Sequence, residues 1–256
     1  MQPQGRPFIS ILAVAAALSL WWAVGYWRLI DPLLLPAPED VALTGYDLVV
    51  DGYRSVSLFG HLATSVARAL VAFALAVLTG IPLGIAMGMS PTLNAIFDPF
   101  VQFLRPLPKL ALIPLVVVWF GIGEFSKILL IYLATFLTIV VAATAAVMSV
   151  SQGRLRAARS LGVNQWQLFR HVILPSAIPE LFTGVRVGIG IGWTTLIAAE
   201  MIASSSGLGW MVMNASAYLR TDVVLLGVLM LGVTGYLLDF VLVTAQRRWV
   251  HWMGKT

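Results

Sequence analysis

Few residues of this chain have the types and spacing that chemistry demands. Met253-Gly254-Lys255-Thr256 ends like a phosphate-binding loop. Such a loop needs a glycine five residues before its second glycine, and Trp249 stands there. It also needs a following helix whose N-terminus faces the phosphate, and no residue follows Thr256 in this sequence. Gly188, Gly190 and Gly192 alternate within an apolar run, without the acceptor that a dinucleotide fingerprint requires, so they read as packing. His61, His171 and His251 are scattered and lack metal-ligand spacing. Without cysteine there is no thiolate metal site, disulfide or thiol nucleophile. Asn214-Ala215-Ser216 is a formal glycosylation sequon of a kind that recurs by chance.

What remains is charge in apolar surroundings. Arg186 and Glu200 lie in one apolar run, 14 residues apart, about 21 Å along a helix, too far to pair with each other. Asp239, at a comparable depth of the next run, is the expected partner of Arg186. Asp98, Glu180 and Asp239 lie near run ends, where a solvated or capping role is the first expectation. Arg105 and Lys109 sit in a run interrupted by Pro99, Pro106, Pro108 and Pro114. Charge and irregular backbone at membrane depth persist only when buried in protein or lining a wet cavity. Arg105 and Lys109, with Trp193, Thr194 and Glu200, are therefore the candidates for a translocation path. Interfacial snorkelling is the competing role for the first two.

The elements that must position these residues are membrane spans. The chain has 256 residues, 59% hydrophobic and 11% charged, with a mean hydropathy of +0.92. That composition predicts an all-α polytopic membrane protein forming a single unit over 1–256. The net charge of +5 reflects basic residues gathered on the cytoplasmic face, not nucleic-acid binding. Apolar runs predict six spans: 8–27, 62–88, 93–120, 127–149, 177–203 and 223–246. The membrane core is then about 62–246. Arg6 before the first span, and Arg247, Arg248 and Lys255 after the last, place both termini in the cytoplasm. The Pro-marked, net acidic segment 28–61 falls outside, as does a short amphipathic piece from Trp210 to Tyr218. Gly80, Gly84 and Gly88, and again Gly184, Gly188 and Gly192, each share one helix face, suited either to close packing within the chain or to a subunit contact.

One stretch, within about 150–176, is too basic to span. Arg154, Arg156, Arg159 and Arg170 occur there without an acid, and each arginine at a bilayer centre costs roughly 2.5–3.5 kcal/mol. Gly162 suits the position after a helix and Asn164 the cap of the next, so a cytoplasmic helix–turn–helix is expected, ended by Pro175.

This stretch resembles the cytoplasmic "EAA" loop of ABC importer permeases. Ala157 and Ala158 match its alanines, Gly162 its glycine, Val172 its isoleucine conservatively, and Leu174-Pro175 its end. Arg156 stands where the family has glutamate. Leu35-Pro36-x-Pro38, His61-Leu62-x-x-Ser65-x-x-Arg68, Trp119 to Lys127, Ala199-Glu200 with Gly207-Leu208-Gly209, and Asp222-Val223-Val224 are similar to the nitrate/sulfonate/taurine branch, taurine permeases above all. The resemblance implies a type I importer permease of the bacterial inner membrane, working as a dimer, with a homodimer expected. Its partners would be two ATPase subunits, which hold the ATP and Mg, and a periplasmic substrate-binding protein. This chain would hold no cofactor and perform no hydrolysis. Ala157, Ala158, Gly162, Val163, Asn164, Gln165, Trp166, Phe169, Arg170, Leu174 and Pro175 would couple it to the ATPase, with Trp166 and Phe169 as apolar anchors and Arg170 meeting an acidic rim. The substrate would be taurine or a related sulfonate, or nitrate, bicarbonate or another small solute of the branch. A secondary transporter lacks support from any internal repeat, and a membrane enzyme lacks a catalytic cluster.

Overall fold

The computed structural model describes residues 7–249, all helices and turns apart from one isolated bridge between Tyr53 and Val56. Arg6, His251, Lys255 and the Gly-Lys-Thr ending lie outside the described residues. The helices are α1 (Pro7–Tyr26), α2 (Pro38–Val50), α3 (Leu58–Met89), α4 (Pro91–Leu104), α5 (Ile113–Phe120), α6 (Glu124–Met148), α7 (Gln152–Ser160), α8 (Gln165–Leu168), α9 (Leu174–Ala203), α10 (Leu208–Ala217) and α11 (Thr221–Trp249). By length and apolar composition α3, α6, α11 and the helix from 165 to 203 each suffice to cross a bilayer. The expected third span is one crossing in two pieces, bent by 87° between Leu104 and Lys109. Pro106 and Pro108 sit in the bend, where neither can donate a backbone hydrogen bond. α1 covers the first expected span, but Ile11–Tyr26 is a shorter apolar helix, so among the described residues four helices, or five with the bent pair taken as one, are long and apolar enough to cross, rather than six. Phe8, Ile11, Leu12, Val14 and Leu18 on it are all exposed, as lipid contact requires of an apolar surface.

α6 is the axis of the fold, packed along its length between α3 and α9. The two glycine ladders explain how. A β-carbon on Gly84 would come within 2.5 Å of Ala143 Cβ and 2.6 Å of the Val140 carbonyl, and Gly80 and Gly88 face Ile139 and Val147. From the other side Gly184, Gly188 and Gly192 face Ala142, Ile139 and Thr135. Both ladders thus bring a helix backbone against α6, and Thr144 Oγ1 donates to the Gly84 carbonyl at 3.1 Å. Internal packing, not a subunit contact, is their role.

The basic stretch is a helix–turn–helix. α7 ends at Leu161, Gly162 takes φ +76°, and its N–H donates to the Arg159 carbonyl at 3.0 Å. Asn164 caps α8 in a reciprocal box: its side chain accepts from Gln167 N at 2.8 Å, and its own N–H donates to Gln167 Oε1 at 2.9 Å. Pro175 does not end the second helix, contrary to expectation. α8 runs on through a π turn (Phe169–Ile173) into α9, with Pro175 in the first turn of α9. At the junction Leu174 N–H donates to the Phe169 carbonyl in π register, and proline is tolerated in a first helical turn, so the helix continues. The segment 28–61 also holds more order than its prolines suggest. Pro38 opens α2, whose start is held by Ala37 N–H donating to Asp40 Oδ2 at 3.3 Å.

Candidate functional site

Two ends of the bundle carry the polar structure. At one end meet the starts of α3 and α6 and the end of α9. Arg68 on α3 is 3% exposed and sits at the centre. Its Nε and Nη2 hold both oxygens of Glu124 at 2.5 and 2.6 Å, and its Nη1 holds Glu200 Oε1 at 2.7 Å and the Ser206 carbonyl at 2.8 Å. Lys127 Nζ reaches Glu124 Oε1 at 2.8 Å. Glu200 is wholly buried, and it also accepts from Ser65 Oγ and from Gly209 N–H at 2.9 Å. Two cations thus face two carboxylates: Arg68, Lys127 and Glu200 are buried, while the Glu124 side chain is 58% exposed and opens the cluster to water on that side. Gly207, at φ +113°, lets the chain turn against this carboxylate, because a β-carbon there would sit 2.6 Å from Glu200 Oε2. His61 accepts the Gly207 N–H on Nδ1 at 3.1 Å, so its Nε2 carries hydrogen and faces the Tyr53 carbonyl at 3.2 Å, and the ring stacks on Trp210.

The same end holds α2, α10 and α11 together. Thr44 Oγ1 donates to Asp222 Oδ2 at 2.9 Å, Tyr53 OH donates to Asn214 Oδ1 at 2.9 Å, and Arg220 pairs with Asp222 at 2.7 Å. The Asp222 carboxylate pushes the Arg220 guanidinium above its usual range, chiefly by the hydrogen bond between them. α10, which covers the expected outer piece, is a packed helix with Leu208, Met211 and Ala215 fully buried.

Most of the motif residues that carried the resemblance outside the basic loop converge here: His61, Ser65, Arg68, Glu124, Lys127, Glu200, Gly207 and Gly209. Their spacing gave no role to Arg68, Glu124 or Lys127. The available signal was that three separate outer segments each carry an ionisable residue beside a span end.

The path candidates separate. Glu200 and Trp193 are committed to helix contacts within the chain; Trp193 Nε1 donates to the Leu231 carbonyl at 3.3 Å and the ring packs on Gly235. Neither side chain faces open space in this structure. Thr194 is exposed and donates to the Ile191 carbonyl. Arg105 is exposed at the 87° bend, and its carbonyl receives the Lys109 ammonium. Arg186 does pair with Asp239, through both guanidinium nitrogens Nε and Nη2.

At the opposite end α7 and α8 cap the bundle. Ala158, Leu168 and Ile173 are buried against Ala143, Ala146, Val147, Ala177 and Leu181 of α6 and α9. Phe169 is half-buried in that cluster, touching Trp166 ring to ring at 5.6 Å. It is thus partly an internal anchor, and Leu161, 83% exposed, joins Trp166, 63% exposed, as outward apolar surface. Arg156, Arg159 and Arg170 are exposed and make no ion pair among the described residues. Arg154 bonds Ser151 and Ser176. Ala157, Gly162, Asn164 and Gln165 are exposed, while Val163, Leu174 and Pro175 are half-buried.

Comparison with known proteins supplies the family. Residues 80–252 match the model described as binding-protein-dependent transport system inner membrane component. The chain is 48% identical over 248 residues to the taurine transport system permease protein TauC of Escherichia coli, covering 96% of this chain and 90% of that protein. It is 29% identical over 234 residues to the nitrate import permease protein NrtB of Leptolyngbya laminosa, covering 89% and 84%. Among solved structures, an inward-facing form of the MetNI methionine ABC transporter aligns over 75% of this chain and 95% of its own, with TM-score 0.64 and 20% identity, a likeness of fold.

Proposed function

This chain belongs to the family of binding-protein-dependent transport system inner membrane components, an ABC importer permease, and from that premise we propose that it carries taurine or a related sulfonate inward on a movement delivered through residues 152–173. The observation that carries the coupling part is the rigid joint between α7–α8 and α9. The capped helix–turn–helix is packed on α6 and runs without a break into a helix extending to Ala203. A push on it moves that helix as one body. Its exposed residues, Leu161 and Trp166 with Arg156, Arg159 and Arg170 on the same segment, suit a partner with an apolar pocket and acidic groups. That partner is the ATPase, which would hold ATP and Mg; two copies of each subunit, both termini of this chain in the cytoplasm and a periplasmic binding protein complete the proposed assembly. Ala157, Ala158, Val163, Asn164, Gln165, Phe169, Leu174 and Pro175 shape and anchor the lever rather than touch the partner first.

The permease supplies a route. Arg105, held at the bend of the broken span, is the cation that a passing anion would meet. Taurine is favoured by the 48% identity to a taurine permease. The test is uptake by proteoliposomes holding this permease, the ATPase and the binding protein. ATP-driven accumulation of labelled taurine is expected. Uptake of nitrate with none of taurine would move the reading to that substrate, and uptake of either without ATPase would overturn it.

A further inference from the structure

An exposed charge on a membrane helix turns away from the acyl chains, toward water, the interface or a second protein surface. Arg105 and Glu180 are two such residues, and both line one cavity of about 370 Å³ between the bent third span, α6 and α9. That volume suits a small solute. The rest of the wall includes Thr138, Ala142, Thr183 and Val187.

The polar groups divide by chemistry. Thr138 Oγ1 donates its hydrogen to the Ala134 carbonyl at 3.0 Å, and Thr183 Oγ1 donates to the Pro179 carbonyl at 3.1 Å. Each hydroxyl is left to offer a lone pair to the cavity, as an acceptor. Glu180 Oε2 accepts from Ser149 Oγ at 2.8 Å, and Oε1 has no partner among the described residues. The α6 and α9 side of the cavity therefore presents acceptors and negative charge. Arg105, from the bend, presents donors only and positive charge, and its guanidinium has no partner among the described residues. A plain anion would be drawn to one wall and repelled by the other. A solute with an ammonium at one end and an anionic group at the other satisfies both.

We infer that this cavity is a zwitterion-selective subsite within the permease itself, in which Arg105 takes the anionic group and Glu180, with Thr138 and Thr183, takes the ammonium of an aminosulfonate. The inference rests on the taurine reading and gives the permease a share in selecting its substrate, apart from the binding protein.

The permease–ATPase complex in nanodiscs, without binding protein, is titrated calorimetrically with taurine and with ethanesulfonate, which lacks the amine. Taurine should bind at least about 10-fold more tightly, the order expected of one hydrogen-bonded charge. Glu180→Gln, which still accepts from Ser149, should bring the two within about twofold while ethanesulfonate binding persists, and that persistence shows the cavity is intact. Arg105→Ala should lose both ligands and Arg105→Lys should keep both. Equal affinities in the unaltered complex, absence of taurine binding there, or a preference surviving Glu180→Gln would overturn the inference. Taurine uptake by the unaltered transporter with its binding protein is measured beside these. If uptake occurs and the preference is absent, the subsite is wrong and the transport reading stands; if uptake is absent, the transport reading is the one that has failed.

Discussion

Arg68 Nη1 lies 2.7 Å from Glu200 Oε1, with one side chain 3% exposed and the other fully buried. The pair joins α3 to the end of α9, and Glu124, itself held by Lys127, ties Arg68 to α6. The three helices that form the body of the fold are thus latched together at the end farthest from the coupling helices. A push delivered at residues 152–173 would then be transmitted to a clamped bundle, not to three loose helices.

Breaking this latch from one side should be costly. Arg68→Ala leaves Glu200 buried without its cation, and Glu200→Ala leaves Arg68 in excess. Each is expected to lower stability by roughly 3–5 kcal/mol, seen as lower yield and thermal midpoint in detergent. The double variant Arg68→Ala with Glu200→Ala should be less destabilised than the sum of these two singles. Additive losses would show that the two residues act independently.

The glycine ladders yield a paired test. Gly84→Ala forces a methyl against Ala143 and the Val140 carbonyl, with an expected loss of about 1–3 kcal/mol. Gly190→Ala, on the same helix as the second ladder but with nothing within 4 Å of the added carbon, should be neutral or slightly stabilising, since alanine is the better helix former. Thermal unfolding of the two variants compares them directly. Equal effects would mean that α3 does not pack on α6 as closely as the ladder requires.

The outward face of the coupling helices should behave as an interface. Trp166→Ala and Leu161→Ala remove exposed apolar surface and should leave folding intact. Trp166→Ala is expected to weaken ATPase association by roughly 30-fold, the weight of an aromatic anchor, measured by titrating the ATPase onto immobilised permease. Unchanged affinity in both variants would remove the docking role.

The turn between α7 and α8 tests coupling apart from docking. Asn164→Ala loses the reciprocal cap, at about 1 kcal/mol. Gly162→Pro cannot adopt the positive φ found there. Both should retain ATP hydrolysis while transport per ATP falls, most in Gly162→Pro. Full uptake in the proline variant would contradict transmission through this turn.

The pair Arg186–Asp239 was legible from depth alone, because two opposite charges at one level of adjacent spans have few alternatives in a low-dielectric layer. The Gly162 and Asn164 turn was legible because those residue types satisfy a helix end locally. Glu200 was not. Its partner Arg68 is 132 residues away, and no local pattern links positions so far apart. The cavity pairing of Arg105 with Glu180 was equally hidden, because it depends on an 87° bend bringing the third span against α6 and α9.

The sequence by itself determined that this is a helical membrane protein with a basic, capped helix–turn–helix on one side, since hydropathy, charge and cap chemistry act over a few residues. The tertiary structure alone decided that the glycines face α6, that Pro175 lies inside a continuous helix, and that Glu200 forms a buried pair with Arg68 while Arg105 and Glu180 share an open cavity. Those outcomes depend on which helices pack together and at what height, and packing height is fixed by contacts between distant parts of the chain.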